Sequence, residues 1–519
     1  VTETIRAGDL TFAVDGTDLV DVRWGALDIA SRIQVTVRDP SWGTMPPTLR
    51  STRVASLDDG VGVAIEADHA SGAFVWRATV EAHDRGELSF TLDGGAQRSF
   101  DYRRIGVCVL HPWRAYVGAA YEAETPHGSR QGVFPIRIAP QARIDGAFRP
   151  MIEAFSRLAV SFPGGQALDI DLDGDLFELE DQRNWTDASF KTYPTPLARS
   201  EPRRMSAGER VRQRVALRIT GSAPPVRAQD AASVRVGART GAVIPPIGMS
   251  VRSDPIEGAR HVRVPVAAAD PNLEAVARAD MPVELVLAVD ADAPDIDAIV
   301  GPARDVELAR VLVVRTDEET TSRELVEEVR ARLGMSDVPV VGGTPTSFSE
   351  LNRNPPERDA FDGVAFSISP EVHAVDERSV RETLEIQGQV MAQARDLAGD
   401  VPIIVSPVVL SPDHPEAFAS AWTVGSLAAL INESAASVTI DASSRAAALI
   451  ARLSDSPVLT TDVSDTRSIA ALGYEHGHAA RVIVANLLGE PTPFVLNGEE
   501  QQALDAYEVR SCDASTASS

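Results

Sequence analysis

Lysine is almost missing from this chain. Of 49 basic residues, Lys191 is the single lysine and the other 48 are arginine; asparagine occurs only seven times. Such usage fits a GC-rich genome, in which arginine replaces lysine wherever either serves. Lys191 then marks a place where a compact ammonium and a planar guanidinium are not equivalent, with chance survival as the plain alternative. Cysteine is nearly as scarce: Cys108 and Cys512 are the only two, so no disulfide framework holds the fold and neither has the context of a thiol nucleophile. No apolar run approaches the about eighteen residues that a spanning helix needs. The first residues, VTETIRAGDLTF, lack the basic and apolar regions of a secretory signal, which makes cytoplasmic residence the expectation. Positive charge is also short. The formal net charge is −26, which argues against nucleic acid or an anionic membrane as partner. The GxSxG elbow, HExxH, Walker A and Rossmann motifs are all absent, and no cofactor is implied. A Ser-x-x-Lys dyad is excluded because Ala188 stands three residues before Lys191.

What is present is an ordinary globular composition, 44% hydrophobic and 24% charged over 519 residues, enough for two to four domains. The first 220 or so residues alternate apolar and polar with period two. Examples are RIQVTVRD (32–39), GVGVAIEA (60–67), FVWRATVEAH (74–83), RIGVCVLH (104–111) and ERVRQRVALRIT (209–220). Many short strands divided by Gly, Asp and Pro turns predict an antiparallel β-sandwich over residues 1–222, nearly without helix. Residues 221–240 read as a linker. Eight β-type runs follow, at 243–249, 261–266, 283–289, 310–315, 338–343, 363–369, 401–407 and 437–443. Most precede helical sequence such as PNLEAVARAD, TSRELVEEVRARLG, DERSVRETLEIQGQVMAQARDLAG and SRAAALIARLSD. Strand–helix alternation predicts a (β/α)8 TIM-like barrel over 240–455, irregular between its first two strands. Residues 456–513 return to strands, as a small C-terminal β domain. This layout is shared by many carbohydrate-active hydrolases, an analogy of fold alone.

Barrel enzymes carry their chemistry at the C-terminal strand ends. Those ends offer Asp290, Asp292, Arg315, Asp317, Glu350, Asn352, Arg353, Glu371, His373, Asp376 and Asp441. Carboxylates on different strands can form an acid and base pair once their surroundings separate their pKa values. The bland reading is that a −26 chain has acidic loops everywhere, and that His373, between Val372 and Ala374, is a core histidine. A second cluster lies in the sandwich, in FELEDQRNWTDASFKTY (177–193). There Glu178, Glu180, Asp181, Arg183, Asn184, Trp185, Asp187, Lys191 and Tyr193 combine rings that stack on a sugar with groups that bind hydroxyls. Its bland counterpart is a strut of buried ion pairs. Just upstream, Asp169-x-Asp171-x-Asp173-Gly174-x5-Glu180 matches a calcium-loop pattern, but Leu168, Ile170 and Leu172 alternate with the aspartates as in a strand. His476-Gly-His478 reads as a hairpin turn rather than a metal site.

The strings FELEDQRNWTDASFKTY, SELNRNPP and SISPEVHAVDERSVRETLEIQGQ resemble the D-apionate lactonase (D-apionolactonase) family across the whole chain. The resemblance implies an N-terminal β domain, a TIM barrel and a C-terminal domain, and hydrolysis of a sugar lactone, with a small-molecule carbohydrate or lactone as partner. The chemistry of such a reaction assigns Glu350 as base and Lys191 or Arg183 as oxyanion donor, with His373 as acid for the leaving oxygen. Glu371 and Asp441 are further catalytic candidates; Glu180, Asp181, Arg183, Asn184, Trp185, Asp187, Asn352 and Arg353 would bind the polyol. Two other readings stay open: a glycoside hydrolase with paired carboxylates at the barrel mouth, and a non-catalytic carbohydrate-binding protein. The sequence leaves the oligomeric state undetermined.

Overall fold

The computed structural model describes residues 3–144, 147–226, 231–251, 254–267, 280–289, 296–315, 318–442 and 444–514. The chain divides into two compact units, Val1–Arg183 with Ala188–Ala228, and Asn184–Asp187 with Gln229–Ser519.

The first unit is the expected sandwich. One sheet runs in the order Thr4–Ala7, Leu10–Asp15, Asp18–Trp24, Leu27–Arg38, Arg104–Pro112, Ser189–Tyr193, Phe177–Asp181 and Ile152–Phe155, with Thr44–Met45 paired to the fourth. The other runs from Gly128–Val133 through Ala120–Thr125, Arg157–Ser161, Ala167–Asp173, Arg210–Thr220, Glu87–Ala96, Phe74–His83 and Gly60–His69 to Thr48–Leu57. Period-two alternation turns alternate side chains inward, so Phe12, Val35, Val109, Leu179 and Phe190 of one sheet share a core with Ile65, Trp76, Phe90, Ile170 and Val215 of the other. The calcium-like stretch lies in strand Ala167–Asp173, its leucines and Ile170 buried, and Asp169 pairs with Arg157 at 2.6 Å. Up to residue 226 the described helical pieces are Trp113–Tyr116 and two 3-10 turns, Gln182–Trp185 and Leu197–Arg199.

In the second unit, eight parallel strands close a barrel: Ile247–Ser250, Val262–Ala267, Val283–Val289, Leu308–Arg315, Val340–Ser347, Val364–Ile368, Ile403–Val409 and Ser437–Asp441. The first begins later than its apolar run, because Pro245 and Pro246 have no amide hydrogen to give the ladder. No helix lies between the first two strands among the described residues, while PNLEAVARAD falls outside them except for Asp280. The remaining predicted helices are Arg323–Leu333, the pair Glu377–Glu382 and Leu384–Ala398, and Arg445–Ala451. Gly334, at φ 65°, ends the first of these in the left-handed geometry that glycine adopts without strain. Three described helices of this unit absent from the sequence reading are Ile296–Ala303, the short Phe348–Arg353 and Glu416–Asn432. The last has thirteen of seventeen residues buried, so it shows no polar face from which a period could be read.

The linker reading of 221–240 needs correction. Ala232–Val243 is a strand, parallel to Thr492–Leu496 and antiparallel to Pro457–Val463, in a seven-stranded sheet completed by Gln502–Leu504, Ile469–His476, Ala479–Asn486 and Val509–Asp513. Buried Ala232, Val234 and Val236 supply the period-two face that the surrounding Gly, Arg and Thr obscured. The His476–His478 stretch is a tight hairpin, with Gly477 and His478 both at positive φ. Among the described residues no helix is long and apolar enough to cross a membrane.

Three buried imidazoles carry a consequence for stability. Burial lowers His69 and His261 to about 4 and His111 to about 3, from an ordinary 6.5. The unfolded chain therefore takes up protons where the folded chain does not. Stability should fall as pH drops from 6.5 toward 4, by about 1.4 kcal/mol per pH unit for each proton. Glu178, pushed up to about 7 from 4.5 by burial, works the other way and offsets one of the three between those values. Urea midpoints measured from pH 7 to 5 should decline, and less steeply in His111→Gln; a flat profile would contradict the argument.

Candidate active site

The loops after the barrel strands carry the second unit's candidate residues. His373, beyond the sixth strand, places Nδ1 2.7 Å from Asp187 Oδ2. Both side chains are about one-fifth exposed, and the Trp185 and His373 rings meet in a T-shaped contact with centroids 5.4 Å apart. A carboxylate only accepts, so the shared proton sits on Nδ1, and in the neutral ring the lone pair is on Nε2. Asn352, on the short helix Phe348–Arg353 after the fifth strand, donates to Asn184 Oδ1 at 2.8 Å and accepts from Gln393 Nε2 at 2.8 Å. Asn184 and Asp187 thus anchor one four-residue segment at two adjacent barrel loops.

A second carboxylate–imidazole pair stands beside the first. Glu371 Oε1 lies 3.1 Å from His414 Nε2, and its Oε2 accepts the Ser411 amide at 2.7 Å. The His414 ring packs on Phe418, which meets Tyr507 in the turn between strands Gln502–Leu504 and Val509–Asp513; Tyr507 donates to Glu377 at 2.5 Å. Burial and that carboxylate together raise the phenol to about 12. His414 was missed in the sequence, although it follows the seventh strand in SPDHPEAF and the strand-end rule applied to it as well.

Other candidates are engaged by their own surroundings. Glu350 accepts the hydroxyls of Ser349 and Ser347 at 2.7 and 3.1 Å, where Ser347 starts the short helix, an S-x-x-E start. Arg353 pairs with Glu319 at 3.2 Å, Arg315 with Glu318 at 3.5 Å, and Asp376 caps helix Glu377–Glu382 through the Ser379 amide. Asp441 ends the eighth strand, half-buried, its carbonyl accepting the Leu410 amide. Asp290, Asp292 and Asp317 lie outside the described residues.

The remaining candidates belong to the first unit. Asp181 and Arg183 form a fully buried pair, with Nε–Oδ1 at 2.8 Å and Nη2–Oδ2 at 2.7 Å. Arg183 also donates to the carbonyls of Pro135, Ile136 and Arg137 and stacks over Phe190, while the Ala139 amide donates to Asp181. Burial still pushes the Asp181 carboxyl upward. Such a guanidinium has no donor to turn toward an oxyanion; this is the strut geometry. Lys191 Nζ lies 3.2 Å from Glu180 Oε1 and 5.1 Å from the centre of the Tyr193 ring.

A parallel barrel with imidazoles oriented by carboxylates on the loops after its strands has the build of a hydrolase that uses acid–base chemistry. The chain belongs to the D-apionate lactonase family: residues 1–222 match the family's N-terminal domain and residues 226–415 its TIM barrel domain. A D-apionate lactonase of Brucella anthropi is 25% identical over 447 residues, 78% of this chain and 72% of that protein. Among solved structures, a glucosidase from Croceicoccus marinus aligns at 12% identity over 54% of this chain and 84% of its own, with a TM-score of 0.36. CelM2, a bifunctional glucanase-xylanase from a metagenome library, aligns at 9% identity over 51% and 90%, with a TM-score of 0.40. Likenesses of that size carry no argument about the reaction.

The buried strut makes a direct prediction. Arg183→Leu leaves Asp181 charged and unpaired, and should cost about 3–5 kcal/mol in urea denaturation. The double variant with Asp181→Leu should regain most of it. An Arg183→Leu protein as stable as the parent would remove the strut reading.

Proposed function

We propose that this protein opens a sugar lactone, of the kind D-apionate closes to form, by water that His373 activates. The observation that carries the reading is the 2.7 Å His373–Asp187 contact, which leaves Nε2 with no hydrogen-bond partner among the described residues. In the reaction Nε2 takes a proton from water as the water oxygen bonds to the lactone carbonyl. The tetrahedral oxyanion then collapses, the bond to the ring oxygen breaks, and the imidazolium returns the proton to that oxygen. Products are one carboxylic acid and one hydroxyl, with His373 restored. Asp187 orients the ring and stabilises its cationic form; Trp185 fixes the ring edge and offers a face for the sugar. Asn184, Asn352 and Arg353 are the polar groups assigned to hold hydroxyls. Glu371 with His414, and Asp441, are assigned supporting places at the same strand ends.

Glu350 gives way to His373 as base because two serine hydroxyls already hold its Oε2. Arg183 is dropped as oxyanion donor for the reason given above. A cytoplasmic setting fits a small polar substrate. The glycosidase reading would require facing carboxylates, and no observation favours it.

Acid release from the lactone of D-apionate, followed with a pH indicator and corrected for spontaneous opening, tests the proposal; aryl glycosides are run in parallel. His373→Ala should lower kcat by about 10²–10⁴-fold, with Asp187→Asn following through loss of the oriented tautomer. Aglycone release without lactone turnover, or an unaffected His373→Ala enzyme, would overturn it.

A further inference from the structure

The outer face of the first unit's sheet holds a guanidinium that its own chain satisfies only in part, through the Tyr193 side chain. Phe177, Leu179 and Phe190 face the sandwich core. Strand alternation therefore sends Glu178, Glu180, Lys191 and Tyr193 to the opposite face, where the register pairs Glu178 with Tyr193 and Glu180 with Lys191. The neighbouring strand begins with Arg104, whose guanidinium lies 4.3 Å from the Tyr193 ring centre and 4.9 Å from that of Trp42. Arg104 is only 8% exposed, yet its Nε and Nη2 are buried with no hydrogen-bond partner. Buried donors are almost always paired, and leaving two idle on one cation is costly.

The nearby acids do not supply the partner. Glu180 is engaged by Lys191, and Glu178 Oε2 accepts the Tyr193 hydroxyl at 3.3 Å and the Leu197 amide at 2.8 Å. Burial raises Glu178 to about 7, so near neutrality it supplies only part of a negative charge. Trp42 is 40% exposed and sits at φ 73° in a turn held by Asp39, whose Oδ1 accepts the Ser41 and Gly43 amides at 2.8 Å. An indole kept in that conformation beside two guanidinia, Arg103 and Arg104, offers an apolar face next to unsatisfied charge.

We propose that Arg104, with Trp42, Tyr193, Lys191 and the two glutamates, forms a binding site for a polyhydroxy carboxylate of the aldonate class. The planar fork of Nε and Nη2 matches a carboxylate bidentately. Trp42 covers the carbon skeleton, while Lys191 and the glutamates donate to and accept from hydroxyls. The choice of an aldonate rests on the lactonase reading, since such an acid is what lactone opening releases. The anion requirement rests on Arg104 alone.

Calorimetric titration of the full chain with sodium D-apionate, against the uncharged alditol of the same skeleton, tests this. Apionate should bind and the alditol should bind at least about tenfold more weakly. Arg104→Gln should lose a similar factor. Arg104→Lys keeps the charge and loses the fork, and should lose affinity in a chain whose circular dichroism is that of the parent; Trp42→Ala, in an exposed turn, should weaken binding too. Affinity that persists in His373→Ala but not in the Arg104 variants places the acid here. Equal binding of alditol and acid, or unchanged binding in both Arg104 variants, overturns the proposal. The titration involves no turnover. Arg104-dependent binding without lactone hydrolysis would leave this site standing and remove the lactonase reading; hydrolysis with Arg104-independent binding would do the reverse.

Discussion

The chemistry proposed for the barrel face depends on one hydrogen bond, between His373 and Asp187. Without it the imidazole would be free to present either tautomer and to rotate; with it, Nε2 is fixed as an acceptor of defined direction. The bond exists because a four-residue segment is held at both ends. Asn184 is fixed by an amide chain through Asn352 to Gln393, and Asp187 reaches the next loop. Trp185, between them, closes against the ring it helps orient. Each contact alone is modest. Together they restrict the rotation of the His373 ring, as the proposed general base requires.

Around that bond, the useful distinction is between polar groups satisfied by the chain and those with capacity left over. A −26 protein is rich in carboxylates, so the presence of one at a strand end says little. Asp376 caps a helix, Glu350 closes a helical turn, and Glu319 and Glu318 each balance an arginine. Arg183 is the extreme case, its guanidinium engaged by one aspartate and three carbonyls and stacked on Phe190. Arg104 is its opposite, equally stacked on rings but with two donors unanswered. Residue type and position in the sequence did not distinguish these two arginines. Only their partners do.

The fold was largely legible because both of its patterns are local. Period-two alternation marked the sandwich strands, in one case (74–83) to the residue, and strand–helix alternation marked the barrel. What escaped has a common cause, the loss of contrast. Helix Glu416–Asn432 is buried on nearly every side and so lacks a polar stripe. Strand Ala232–Val243 pairs with segments more than two hundred residues away and is written in small residues that read as linker. The candidate site was half legible, for a different reason. Strand ends pointed to Glu371 and His373, but their partners, His414 and Asp187, come from distant segments that only the tertiary fold brings near.

The barrel interior shows the same limit from the other direction. In the runs VELVLAV and LARVLVVR, Glu284 and Arg310 look like polar strand edges, yet Glu284 is fully buried. It accepts the hydroxyls of Ser406 and Thr439, and its Oε2 lies 3.2 Å from Arg310 Nε. His261 donates to or accepts from Thr439 at 2.9 Å in the room left by Gly248, where any Cβ would collide with the imidazole. Next along the strands, Val286, Leu312, Val341, Ala365 and Ile404 form an apolar layer. The charged layer thus lies toward the strands' N-terminal ends, the stability end of such barrels, while the imidazoles stand beyond their C-terminal ends. A buried ion pair adds little net stability but is costly to break. Here it ties the third and fourth strands, through Glu284 and Arg310, to the seventh and eighth, through Ser406, Ser437 and Thr439.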